Sequence, residues 1–169
     1  MKIFLIGFMG SGKTTAGRKL SSRLNLQFID LDNAIEKETG MTVQEIFKLK
    51  GEEYFREIES KTLRKLSGED NFVMATGGGA PCFKDNIDFM NKKGITVYLK
   101  MNTAELTSRL KKGKAQRPLL AGKDNKEMQQ FIEYKLKQRI PYYEKAQLIT
   151  GGLNLNISTL AEKIREMEQ

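Results

Sequence analysis

Histidine and tryptophan are absent from the 169-residue chain, and cysteine occurs once, as Cys82. Without histidine there is no Ser-His-Asp or Cys-His catalysis, no imidazole zinc ligand and no imidazole pH switch. A single cysteine excludes an intramolecular disulfide and a thiolate metal cluster. Chemistry is left to carboxylates, lysine, arginine, hydroxyls and backbone amides. Long apolar runs are missing too, and no stretch approaches the roughly 20 residues of a membrane span. The opening Ile3-Phe4-Leu5-Ile6 is followed by Lys13 and Arg18 without a small-residue cleavage site, so it reads as a first core strand. The expectation is a cytoplasmic protein with no membrane partner.

What is present suits one compact domain spanning 1–169. Hydrophobic residues make up 39% and charged residues 30%, which excludes disordered and collagen-like classes. A net charge of +8 favours anionic partners, whether nucleic acid, a membrane surface or phosphorylated small molecules. Charge alone does not choose among them.

Short apolar runs at Lys2–Ile6, Leu26–Ile29, Phe72–Ala75 and Ile95–Leu99 read as buried strands. A fifth is expected near Gln147–Thr150, with Leu153–Ile157 competing for it. Helical spacing covers Thr14–Leu24, pieces of Asn33–Leu66 broken at Gly40 and Gly51, Asp85–Asn91, Asn102–Leu110 and Lys126–Gln138. Thr42 to Glu45 fits a capping box, and Asn102 with Glu105 fits another. Pro141 is expected to end or kink its helix, and Ser158 or Thr159 to cap the last one. Residues 111–125 are polar, lysine-rich and without periodicity, long for a plain connector, and read as a lid. Strand-helix alternation of this kind argues for an α/β fold, a parallel sheet with helices on both faces.

Gly7-Phe8-Met9-Gly10-Ser11-Gly12-Lys13-Thr14 matches G-x-x-x-x-G-K-[ST] at every fixed position, between a strand and a helix. Such a loop aims backbone N–H groups at phosphates, with Lys13 reaching the β- and γ-phosphates and the Thr14 hydroxyl serving Mg²⁺. A bare turn has no need of a lysine at a helix start, where a cation opposes the helix dipole. The motif implies ATP or GTP. An Asn-Lys-x-Asp guanine motif is missing, since Asn91-Lys92-Lys93 lacks the aspartate and Asp124-Asn125-Lys126 has the wrong order, so a kinase is the better reading.

Asp30 and Asp32 fall at the end of the second strand, an edge that lines the ligand crevice in open α/β sheets. Alternation along an extended chain points both the same way. One aspartate suffices for a helix cap, which favours a functional pair. Gly77-Gly78-Gly79 follows the third strand at the same edge and suits close approach of backbone to a ligand.

Together the glycine loop with Thr15, the Asp30/Asp32 pair, Phe55-Arg56-x-x-Glu59, the Gly77–Gly79 triplet, Arg117-Pro118-Leu119-Leu120 and Arg139-x-x-x-Tyr143 resemble the shikimate kinases in order and spacing, from Met1 to about Ala146. The resemblance implies a three-layer P-loop kinase fold with a five-stranded parallel sheet, a substrate-binding segment at 33–61 and a lid at 111–125. It implies transfer of the ATP γ-phosphoryl group to the 3-hydroxyl of shikimate, with Mg²⁺ as cofactor, by a monomer. Gly10, Ser11, Gly12, Lys13, Thr14 and Thr15 would hold ATP, with Arg109 on the adenine side and Arg117 closing over the phosphates. Thr14 and Asp30 would serve the metal. Asp32 would hold ring hydroxyls and orient the attacking one or accept its proton. Arg56 and Arg139 would grip the shikimate carboxylate, Glu59 would aim Arg56, and the backbone of Gly78 and Gly79 would touch the substrate. Lys13, Asp32 and Arg117 would carry catalysis. The register of Gly151–Ile157 leaves adenine contacts there unassigned.

Plainer readings stand beside these. Arg56 with Glu59 reads equally as a surface pair of little energetic consequence, Arg117 as one cation among several lysines, and Arg139 as a helix-dipole partner. Phe47 and Phe55 read as core or pocket wall. A kinase for gluconate or a nucleoside monophosphate is the nearest rival. A nucleic-acid-stimulated ATPase ranks lower, because no nucleic-acid module or aromatic-basic stripe is present.

Overall fold

The computed structural model describes residues 1–112 and 122–168. Its strands are β1 (Lys2–Ile6), β2 (Gln27–Asp30), β3 (Phe72–Ala75), β4 (Ile95–Lys100) and β5 (Leu148–Gly151). They form one sheet in the order β2-β3-β1-β4-β5, with every neighbouring pair parallel. The central strands read as unbroken apolar runs because both of their faces are covered. On β1, Ile3 and Leu5 pack with Ala16, Leu20, Leu160 and Ile164. The alternate residues Phe4 and Ile6 pack into the opposite cluster with Tyr98, Met128, Ile132 and Tyr143. Two cores on one sheet make three layers.

Helices α1 (Lys13–Leu24) and α8 (Ile157–Glu168) cover the first face. The second cluster draws on α2 (Leu31–Thr39), α3 (Val43–Lys50), α4 (Glu52–Leu66), α5 (Asn86–Lys93), α6 (Thr103–Lys111) and α7 (Asn125–Tyr143). Chain order runs out from β1 to β2, returns through β3, then crosses to β4. This reversal leaves a crevice beyond the carboxyl ends of β2, β3 and β1. All three sequence motifs start at those ends.

Both expected capping boxes are present, Thr42 with Glu45 and Asn102 with Glu105, and a third joins Asp124 to Glu127 at the start of α7. Two local expectations change, at the cap of α8 and at Pro141, while the fifth strand forms near Gln147–Thr150 as expected. Asn156, not Ser158 or Thr159, caps α8, its side chain accepting from the Thr159 amide at 3.1 Å. Leu148–Gly151, not Leu153–Ile157, is the fifth strand, and the Gly152 amide donates to the Lys100 carbonyl at 2.9 Å. Helix α7 continues through Pro141 to Tyr143. A proline in the last turn removes the donor for the carbonyl of Lys137, an exposed residue that water can serve. Beyond it Tyr143 is fully buried with its ring 5.0 Å from that of Tyr98, and that packing outweighs the lost bond.

Candidate active site

Gly12 ends the phosphate loop at φ 90°, a left-handed conformation that glycine adopts without a Cβ penalty, and Lys13 is the first residue of α1. The Ser11 amide closes a turn onto the Phe8 carbonyl at 3.1 Å. Lys13 is 8% exposed, and its Nζ donates to the Gly7 and Phe8 carbonyls at 2.8 and 2.9 Å. The ammonium is thereby folded back over its own loop. The loop opens into a cleft of about 870 Å³ lined by Gly10, Gly12, Lys13, Thr14, Thr15 and Arg109 on one side. Asp30, Asp32, Gly77 and Gly78 line the other. Three separate motifs therefore share one cavity.

Asp30 has two jobs at the end of β2. Its Oδ1 caps α2 by accepting from the Asn33 amide at 3.2 Å, while Oδ2 accepts from the Thr14 hydroxyl at 3.1 Å. Asp32 lies in the first turn of α2, so strand alternation is not what aligns the two aspartates. The strand-to-helix turn after Asp30 brings both into the cleft instead. Asp32 Oδ1 is buried and accepts no hydrogen bond from the described residues. Burial raises its carboxyl above the ordinary range, the Asp30 carboxylate adds to the rise, and the Lys13 ammonium opposes it.

Arg56 and Glu59 are not a surface pair. They are 7% and 0% exposed, with Nη1 and Oε2 2.7 Å apart. The guanidinium lies 4.1 Å from the Phe83 ring centroid and 5.2 Å from that of Phe55, and Glu52 accepts a second bond at 3.3 Å. The backbone of Gly79 presses on it: a Cβ there would stand 2.5 Å from Nη2. Glu59 Oε1 is buried without a hydrogen bond beside Gly77, where Asp32 Oδ1 also points. Arg139 approaches the same loop from α7, its Nη1 close to Gly78 and its guanidinium 5.3 Å from the Phe8 ring centroid. Both arginines act electrostatically on Glu59 and on the Cys82 thiol, so they converge on one corner. Phe55 is core, and Phe47 stacks on it at 4.6 Å.

Burial pushes the Glu59 carboxyl from its ordinary 4.5 to about 7, against the pull of Arg56. Between those values the folded chain keeps a proton that the unfolded chain gives up. The residue's contribution to stability therefore falls as pH rises through the window and is level above it. Glu59→Gln keeps an acceptor for Arg56 but cannot ionise. Melting curves from pH 4.5 to 7.5 should show the wild type losing several degrees relative to the variant. Parallel curves would mean that Glu59 is ionised throughout.

Arg109 extends over the phosphate loop, its Nη1 3.2 Å from where a Gly12 Cβ would stand and 3.6 Å from the Met101 sulfur. A second cleft of about 210 Å³ continues past it, lined by Ser11, Thr15, Lys19, Gly152, Asn154 and Leu155. Sequence alone does not place the last three, and the register of β5 is what brings them there. The sequence shows Tyr143 only as part of a motif; in the structure its hydroxyl donates to the Gly78 carbonyl. Arg117 and most of the 111–125 segment lie outside the described residues.

The donors at Thr14 and Asp30 are hard oxygens, as Mg²⁺ requires, and no cluster of three or more acidic, histidine or cysteine side chains able to hold a metal occurs among the described residues. No helix among the described residues is long and apolar enough to cross a membrane.

The shikimate kinase of Bacteroides thetaiotaomicron is 47% identical over 171 aligned positions, covering 99% of this chain and 98% of that protein. A crystal structure of shikimate kinase from the same organism superposes with a TM-score of 0.91 at 42% identity, covering 99% and 98% of the two chains. The Acinetobacter baumannii enzyme in complex with shikimate gives 0.84 at 36% identity, covering 99% and 92%. A family model described as shikimate kinase matches residues 9–168, and with that span and those identities the chain belongs to the shikimate kinase family.

Proposed function

We propose that this chain transfers the γ-phosphoryl group of ATP to the 3-hydroxyl of shikimate, giving shikimate 3-phosphate and ADP for aromatic amino acid synthesis. One observation carries the reading. A phosphate loop, an unpartnered aspartate oxygen and a glycine corner flanked by two arginines occupy the ends of three adjacent strands. A donor site and an acceptor site for an anionic, hydroxyl-bearing molecule therefore face each other.

Lys13 exchanges its loop carbonyls for the β- and γ-phosphate oxygens, which the backbone amides of Gly10–Thr15 also cradle. Thr14 and Asp30 would hold Mg²⁺, which when bound neutralises phosphate charge. Arg56, aimed by Glu59, pairs with Arg139 to take the acceptor carboxylate, a task suited to planar guanidinium forks. Gly78 and Gly79 admit the ring close to the backbone. Asp32 then faces the ring hydroxyls and accepts the proton of the attacking one as the new O–P bond forms and the bond to the ADP oxygen breaks. Its raised affinity for a proton suits that step. Arg109, with Gly152, Asn154 and Leu155 opposite, would flank the adenine. We also infer a single kinase domain over 1–169, with 33–61 as acceptor segment, acting as a monomer in the cytoplasm where ATP is supplied.

The test is ADP release from ATP-Mg²⁺ with shikimate, gluconate, a nucleoside monophosphate or no acceptor. Shikimate alone is expected to raise the rate at least a hundredfold over the acceptor-free background, since water is a poorly placed competitor. Equal stimulation by gluconate, or none by shikimate, would remove the proposed role of the Arg56 and Arg139 corner.

A further inference from the structure

The glycine corner is held by two side chains that do not line the acceptor cleft. Tyr143 and Asn86 are both fully buried. The Tyr143 hydroxyl donates to the carbonyl of Gly78, and Asn86 Nδ2 donates to the carbonyl of Ala80 at 2.9 Å. Gly79 lies between those carbonyls, pressed on the Arg56 guanidinium.

Each clamp leads to a helix that carries an arginine of the corner, Tyr143 as part of α7 and Asn86 from α5 through hydrogen bonds to α4. Tyr143 stands one turn beyond Arg139 on α7. Asn86 Oδ1 accepts from the Ser60 hydroxyl at 2.8 Å and from Arg64 Nη1 at 2.7 Å. Ser60 stands one turn beyond Arg56 on α4. Arg64 in turn lies 4.7 Å from the Phe89 ring centroid and pairs with Asp85. The glycine backbone is thus tied to Arg139 through Tyr143 and to Arg56 through Asn86 and Ser60. Apolar side chains would fill the same two buried places without needing partners, whereas a buried amide and phenol are tolerated only when hydrogen-bonded. What the polar atoms add is a fixed position for the Gly78 carbonyl and for that of Ala80, which opens a single 3-10 turn over Ala80–Cys82.

We propose that Asn86 and Tyr143 are positioning residues for phosphoryl transfer: they preset the Gly78–Ala80 backbone against Arg56 and Arg139, so that the acceptor's carboxylate finds both guanidiniums already placed. The inference rests on the shikimate reading above. Neither residue meets the substrate. Both act by removing freedom from groups that do, which lowers the ordering required on binding.

Two conservative variants isolate the two bonds. Tyr143→Phe removes only the hydroxyl. Asn86→Asp keeps an oxygen for Ser60 and Arg64 but turns the donor that faces Ala80 into an acceptor. In both, the shikimate KM is expected to rise about tenfold while the ATP KM changes less than about twofold. Amide exchange at Gly78, Gly79, Ala80 and Cys82 should quicken while that of β1 holds, a readout that does not depend on the acceptor. Wild-type enzyme inert towards shikimate would defeat the functional reading itself. Wild-type enzyme active with shikimate, and variants with an unchanged shikimate KM, would overturn the positioning role alone. Both KM values rising together, with exchange faster throughout the chain, would also overturn it and leave the two residues as packing.

Discussion

Asp32→Asn is expected to lower kcat with shikimate by about two to four orders of magnitude, the range lost with a general base, while making the protein harder to melt. The two halves of that expectation come from the same atoms. Asp32 Oδ1 is buried without a hydrogen bond, near the carboxylates of Asp30, Glu36 and Glu59. Burial and like charge both disfavour its ionised form, and Lys13 only partly compensates. An amide of the same shape removes the charge and its penalty, so the melting temperature should rise by a few degrees. It also removes the carboxylate at the acceptor face proposed to take the hydroxyl proton. The phosphate loop lies on the other wall of the cleft, and the ATP KM should change less than about threefold. A kcat within tenfold of wild type would leave Asp32 as a ligand that orients the hydroxyl. A lower melting temperature would show that its charge supports the fold.

How far the sequence announces this site depends on how local each constraint is. The phosphate loop is legible because its chemistry is written in eight consecutive residues, Gly7 to Thr14, bounded by a strand and a helix. The sheet is legible because strands covered on both faces must be apolar at every position, as Ile3 to Ile6 are. Asp30 and Asp32 are legible by their position at the strand end, but alternation does not align them. The chain enters α2 at Leu31, and a helical turn rather than a pleat sets the second aspartate. Arg56 and Glu59 show the limit of spacing. Three residues apart on a helix, they must meet, but only the loop after β3 folding over them makes the pair buried. Tyr143 and Asn86 were beyond reach as clamps. Their partners are main-chain carbonyls, which every sequence has, and Gly78 lies 65 residues from Tyr143 along the chain. Pro141 misleads for a related reason, since a local rule about helix ends yields to the burial of a side chain two residues on.

Gly79→Ala should cost the enzyme its acceptor site without touching its nucleotide site. Gly79 has φ −90° and ψ −14°, values any residue adopts, so alanine brings no backbone strain and even reduces the freedom of the unfolded chain. The effect is one of contact alone. The new methyl would stand 2.5, 2.7 and 2.8 Å from Nη2, Nη1 and Cζ of Arg56. An exposed arginine would swing away, but this one is 7% exposed, bonded to Glu59 at 2.7 Å and packed on Phe83. The loop has no easier retreat, because Tyr143 and Asn86 hold the carbonyls on either side. Either the guanidinium leaves Glu59 or the Gly78–Ala80 backbone leaves its clamps, and each moves the carboxylate site by enough to matter. We expect kcat/KM for shikimate to fall about a hundredfold, mostly through KM, as displacements of about an ångström commonly bring. The ATP KM should stay within about twofold, since Gly7 to Thr15 lie across the cleft. A shikimate KM within threefold of wild type would mean that Arg56 yields freely, and a guanidinium that yields freely is not what grips the acceptor.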